Sequence, residues 1–355
     1  AFIIAEYVNV PYIEVAKAAA IPAFAAYAGL LWITHVEACK LGLRGLSKSE
    51  LPSFWTTLKE GLHFLIPICM LLYELIIMQH SAEMSVFRAI VVLALIMLGQ
   101  PVVKAFVHKK SKRKALKEGI KTLLLSLSAG GSNMAGVAMA TASAGIIVGC
   151  VSLGLGQQIT SFVEILSGGN IFLLLLITAL ASLLLGMGLP TAAAYLICAA
   201  VIVPALTGLG VPALTGHLFI FYFACLSAIT PPVALAAFTA ASLGKTKPMG
   251  VALTAVRLGI VAFIVPFMFV YAPSLLWQGS LPEILGTLAT SLCGVFFLGS
   301  ALQGAFRDRV LNMGQRGLFL LGSLALIQPG LVTDLIGVGL VACALLWQWL
   351  GSRRG

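Results

Sequence analysis

The chain has 355 residues, 60% hydrophobic and 10% charged, with a mean hydropathy of +1.06 and a formal charge of +10. That balance excludes a soluble globular domain and fits a helical protein of many membrane spans. The basic excess does not point to nucleic acid, because it sits in short loops between apolar segments, where it orients a membrane protein.

From the N-terminus, residues 1–11 close in Asn9-Val10-Pro11, and a span follows over about 12–36. The chain begins at Ala1 inside an apolar segment, with no Met and no basic flank, so it is expected to be the C-terminal part of a longer polypeptide. A polar connection at 38–60 leads to spans at about 61–79 and 86–107, joined at Gln79-His80-Ser81. Glu74 falls inside the first of these, where an ionisable group is expensive, and pairing with Arg88 or Lys17 is expected. The run KKSKRKALKEGIK (109–121) carries the densest charge and marks the cytoplasmic side. LKEGL (58–62) and LKEGI (116–120) read as amphipathic helices lying on the inner surface. A span at about 130–156 and an outer loop at 157–170 come next. Asn133 reads as a helix start or a polar contact between helices.

The most informative stretch is Leu185 to Leu243. Two apolar segments are each interrupted near the centre, at Gly186-Met187-Gly188-Leu189-Pro190-Thr191 and at Ser227-Ala228-Ile229-Thr230-Pro231-Pro232. Consecutive prolines remove two backbone donors and push Thr230 out of the helical region. In hydrocarbon an unpaired backbone group costs several kcal/mol, so such breaks survive where they line a buried or watery cavity. Carbonyls with a hydroxyl beside them suit a hard cation such as sodium, and half-helix N-termini suit a carboxylate. A pair of packing kinks is the plainer reading; two breaks with Thr beside Pro favour a transport site. The first segment reads as a re-entrant hairpin with legs at about 171–185 and 192–206, and the second as a broken span over about 214–243.

Spans at about 249–272 and 283–303 follow, then a shorter apolar pair at 318–328 and 331–350 turning at Pro329-Gly330. Asp334 is expected to cap the last helix. Threaded with 108–121 inside, the loops 38–60, 244–248 and 304–317 and the tail 351–355 also fall inside. These segments hold 18 of the 22 Lys and Arg residues. The outer loops hold Glu83, Glu164 and Glu283 and no Lys or Arg of their own. This threading requires 171–206 to be re-entrant. Residues 1–36 echo 237–272 (Ala1-Phe2 with Ala237-Phe238, Pro11 with Pro248) in opposite orientation, the signature of an inverted repeat. The expected organisation is therefore 1–36 as the end of a first repeat, 37–129 as elbow helices and scaffold spans, 130–272 as the second repeat, and 273–355 as extra C-terminal spans. The partner of 160–236 is then expected before Ala1, and this chain by itself is not expected to transport.

Seven cysteines stand singly with no CxxC, and five histidines show no metal-binding spacing, most of them at span ends. No Walker, GxSxG or acidic cluster is present, so neither ATP-driven transport nor a membrane enzyme finds its chemistry, and no catalytic residue is assigned.

GMGLPTAAAYLI (186–197), LSAITPPVALAAFTAASL (226–243) and AFIIAEYVNVPYIEVAKAAAIPAF (1–24) resemble the permease of tripartite ATP-independent periplasmic (TRAP) transporters. The likeness is greatest to the large fused type that works with TAXI-class binding proteins. GGSNMAGVAMATASAGIIVG (130–149) and QPGLVTDLIGVGL (328–340) are similar to the same group. The resemblance implies an all-α, inverted-repeat elevator transporter of the inner membrane, driven by sodium and supplied with an organic-acid anion by a periplasmic binding protein. Carried over, Gly186, Gly188, Thr191, Ser227 and Thr230 would bind the ion, and Thr191, Ala192, Thr230, Pro231 and Pro232 the substrate. A stand-alone sodium/carboxylate symporter and, from a different class, a non-transporting membrane scaffold are the alternatives.

Overall fold

In the computed structural model the described residues are 1–355 apart from 44, 48–49, 108–110, 151–152, 154–157, 159–160, 162–164, 307–308 and 352–355. Glu164, part of the expected outer loop and the basic tail lie outside this set, as does the side chain of Asn133. The described chain is an all-α polytopic membrane protein. Its helices are α1 (Phe2–Val8), α2 (Tyr12–Lys40), α3 (Phe54–Gly61), α4 (Leu65–Ile76), α5 (Ala82–Val107), α6 (Lys112–Cys150), α7 (Ile171–Gly186), α8 (Thr191–Gly208) and α9 (Ala213–Leu226). They continue with α10 (Leu235–Leu243), α11 (Pro248–Leu258), α12 (Ile260–Tyr271), α13 (Leu281–Gln303), α14 (Met313–Ile327) and α15 (Leu331–Gly351). Among the described residues six stretches are long and apolar enough to cross a membrane. Among the described residues the only strands are β1 (Ala305–Phe306) and β2 (Arg309–Val310), a two-residue antiparallel pair.

The chain divides into two compact units, Ala1–Val15 with Gly45–Ala140, and Ala16–Arg44 with Thr141–Gly355. In the first, α1 ends at Asn9 in the left-handed region (φ 55°), and Pro11 prevents the helix from running on. The rings of Phe2 and Tyr12 stack across this corner at 4.5 Å. The pairing of α4 with α5 is fixed by Glu74, 6% exposed, whose Oε2 accepts from Arg88 Nη1 at 2.7 Å and lies 2.5 Å from His80 Nδ1. A buried carboxylate is tolerable only when paired. Replacing Arg88 by Met takes from Glu74 the permanently charged one of these two partners, and the thermal unfolding midpoint of the purified protein is expected to fall. Adding Glu74→Gln should recover part of the loss; equal stability of Arg88→Met and wild type would show the pair to be idle.

One sequence expectation is corrected in this part of the chain. The elbow expected at 116–120 is not separate from the span expected at 130: α6 runs unbroken for 39 residues. Its first half is rich in Lys, Leu, Ala and Glu, all good helix formers, and no proline interrupts it. The LKEGL elbow, by contrast, is a short helix of its own, α3, which passes through a 3₁₀ turn at Leu62–Phe64 into α4.

In the second unit, the span expected at 249–272 is present as Pro248–Tyr271, with a joint at Gly259 between α11 and α12. A Cβ on Gly259 would lie 3.0 Å from the Ala255 carbonyl oxygen and 3.2 Å from Ile229 Cδ1, so the missing side chain makes room for Ile229 of the neighbouring break. The helix expected from 318 begins at 313. The side chain of Asn312 accepts from Gln315 N–H at 2.8 Å, and the side chain of Gln315 accepts from Asn312 N–H at 3.1 Å, a reciprocal cap. Asp334 does not cap α15. It is the fourth residue of the helix, and its own N–H donates to Gly330 O at 2.8 Å, while the Thr333 hydroxyl reaches Gly330 O at 2.7 Å. Helix α2 packs on α13 through glycines: a Cβ on Gly29 would meet Val295, and one on Gly299 would meet Ile33. Trp32 Nε1–H donates to Ser300 Oγ at 2.9 Å, and Arg257 pairs with Glu37.

Candidate functional site

Helices α7 and α8 form a hairpin. Asn170 opens it, its side chain accepting from Leu173 N–H at 3.2 Å. The turn between the legs follows from Gly188, which takes φ 77°, and from Pro190, whose extended ψ of 141° lets Thr191 start a new helix.

The facing helix α9 tightens into a 3₁₀ turn at Ser227–Ile229, then opens at Thr230 (φ −93°, ψ 125°), the residue before a cis Pro231-Pro232 bond. Ala234 takes φ 36° before α10 resumes. The two prolines offer no N–H, so the carbonyls of Ser227 and Ala228 lose their usual helical donors. Thr230 N–H takes up Ser227 O at 3.2 Å, and the Thr230 hydroxyl donates to Leu226 O at 2.7 Å.

The hairpin turn and the break touch. Ser227, 3% exposed, shares its hydroxyl proton between Gly186 O at 3.1 Å and Ala224 O at 2.8 Å. A Cβ on Gly186 would sit 2.5 Å from Ser227 Oγ and 2.8 Å from its Cβ, so the two backbones meet where only glycine fits. A Cβ on Gly188 would have Val233 at 3.7 Å. Of the sequence-selected residues, Gly186 and Ser227 are thus joined directly, and Gly188 reaches the break through Val233. Thr191, Ala192, Thr230 and Pro231 are half-buried, and Pro232 and Gly188 are exposed. Among the described residues no hydrogen bond links Thr191 to Thr230. The oxygens shown to meet here, the Gly186 carbonyl and the Ser227 hydroxyl, are hard, neutral donors. Among the described residues no three His, Cys, Asp or Glu side chains form a metal-binding group.

Sequence reasoning missed a second tie between hairpin and α9. His217, grouped with histidines most of which were expected at the interface, is 5% exposed, and its Nδ1 lies 2.8 Å from the hydroxyl of Tyr195, which is 2% exposed. The available signal was an ionisable residue inside an apolar run. A separate apolar cavity of about 500 Å³ lies between α2, α9 and the α11–α12 joint, reaching Tyr27, Tyr222 and Ile229.

A bundle of apolar helices in which a helical hairpin meets a broken helix defines a multi-pass membrane transport protein. The family model described as "Tripartite ATP-independent periplasmic transporter, DctM component" matches residues 1–284, and the chain belongs to that family. It is thus a TRAP transporter permease component, of a transporter rather than an enzyme family. No curated protein and no solved structure matches the chain.

Proposed function

We propose that the chain is part of a sodium-coupled permease of the inner membrane that imports an organic-acid anion handed over by a periplasmic binding protein. The contact of Gly186 with Ser227 is the observation that supports this reading, since it brings a carbonyl of the helix-breaking turn within 3.1 Å of a hydroxyl of the broken helix. Sodium enters as the co-transported ion. Held by the Gly186 and Gly188 backbone and by Thr191, Ser227 and Thr230, it would fasten the hairpin turn to the break. The fastened turn would complete a carboxylate site from the backbone N–H groups of Thr191 and Ala192, the threonine hydroxyls and the Pro231-Pro232 corner. Closing the turn over ion and anion together makes transport of one depend on the other.

An elevator built from inverted repeats is part of the same proposal. Its support is the matching order of a short helix, a residue of positive φ (Asn9 at 55°, Lys245 at 50°), and a proline opening the next helix, in α1–α2 and in α10–α11. The domain limits at 36, 129 and 272 and the TAXI-type pairing belong to it as well.

The experiment is uptake of labelled organic acids into vesicles holding the complete permease, with and without sodium and the binding protein. Thr191→Val or Thr230→Val should each raise the half-saturating sodium concentration about tenfold, the worth of one good hydrogen bond or ligand. Unchanged sodium dependence in both variants would sink these roles. Sodium-driven uptake without the binding protein would leave a stand-alone symporter.

A further inference from the structure

Side-chain hydrogen bonds join the hairpin to α9 and its break at two places. One is Ser227 to Gly186; the other is Tyr195 to His217. His217 and Ala224 stand at i and i+7 on one face of α9, and Ser227, in the 3₁₀ turn that follows, bonds Ala224 O from the same side while donating to Gly186 O. The second bond is buried on both sides, and the Tyr195 ring also packs edge-on against Phe221 at 6.0 Å.

The position of Tyr195 gives this bond its meaning. It follows Thr191 by four residues on a helix that begins at Thr191, so the two lie one turn apart, about 6 Å, on the same face. A hairpin turn that lifts off the break by several ångströms carries the first turn of α8 with it. The hydroxyl then leaves His217, because a hydrogen bond does not survive beyond about 3.5 Å. Under such a movement the bond would hold only while the turn rests on the break. Burying a tyrosine hydroxyl and an imidazole is costly, and apolar residues of similar shape would fill the space as well. Apolar contacts between helices in a bilayer also hold poorly, since lipid is equally apolar. Resting on the reading of the turn as the ion gate, we propose that Tyr195 and His217 form the latch that holds the hairpin closed on α9. They act as positioning residues that set how much of the permease is ready to bind.

The test uses the complete permease in nanodiscs and reads amide hydrogen exchange at residues 186–191, with Met313–Ile327 as an internal reference, in sodium-free buffer and in rising NaCl balanced by choline chloride. Tyr195→Phe keeps the ring contact with Phe221 and removes only the hydroxyl. It is expected to speed exchange at the turn about fivefold and to raise the half-saturating sodium concentration by the same factor, with the reference unchanged. His217→Leu should match it, and the double variant Tyr195→Phe/His217→Leu should fold well yet be no worse at the turn than either single change. His217→Asn, which keeps a partner near the Nδ1 position, should remain close to wild type. Exchange at the turn in Tyr195→Phe equal to wild type overturns the latch, as does acceleration spread equally over the reference helix. If sodium fails to slow exchange at the turn in the wild type, the ion site fails instead, and the sodium-free comparison still reads the latch.

Discussion

Gly186→Ala is expected to abolish most sodium-driven uptake, leaving about a tenth to a hundredth of the wild-type rate. The new Cβ would stand 2.5 Å from Ser227 Oγ and 2.8 Å from Ser227 Cβ, on a side chain whose hydroxyl already bonds the Gly186 carbonyl. Overpacking of this kind costs roughly 1–3 kcal/mol. Levied on the closed position of the turn alone, that shifts the population about tenfold to hundredfold towards the open one. Ser227→Gly in the same chain makes room, so Gly186→Ala/Ser227→Gly should regain turn protection in hydrogen exchange without regaining the sodium response, because the hydroxyl is gone. Wild-type uptake by Gly186→Ala would mean that turn and break do not meet in the working cycle.

Gly337→Ala is expected to destabilise the C-terminal helices by roughly 1–3 kcal/mol. Its Cβ would meet Leu326 Cγ at 2.6 Å and, less forgivingly, the Gly322 carbonyl oxygen at 2.8 Å, which is backbone and cannot rotate away. The matched control is Gly339→Ala, two residues along α15, where a Cβ would meet nothing within 4 Å and the higher helix propensity of alanine makes the change neutral or slightly favourable. Thermal unfolding of the purified protein separates the two; equal midpoints would disprove close packing of α14 on α15.

What the sequence made legible was whatever glycine and proline decide locally. Gly186–Thr191 and Ser227–Pro232 could be read as interruptions because their backbone chemistry forbids a continuous helix, and the hairpin legs emerged within a residue or two of their expected limits. The reciprocal cap of Asn312 and Gln315 was equally local, and its spacing was there to be read. The joint at Gly259 was not, since nothing in a lone glycine says that Ile229 will press against it. Nor could spacing reveal that α6 runs through both an expected elbow and an expected span. The pairing of Tyr195 with His217 joins residues 22 apart through tertiary packing, beyond the reach of any periodicity.

The family match stops at residue 284, four residues into α13, yet the fold does not stop there. One side of α13 meets Gly29 and Trp32 of α2 through Val295 and Ser300, and another takes Leu326 and Ile327 of α14 against Gly294. The segment beyond 284 is therefore a keystone rather than an appendage. Any attempt to trim the permease to its shared family length, or to graft a foreign tail at that point, would remove the Val295 and Ser300 contacts through which α13 meets α2.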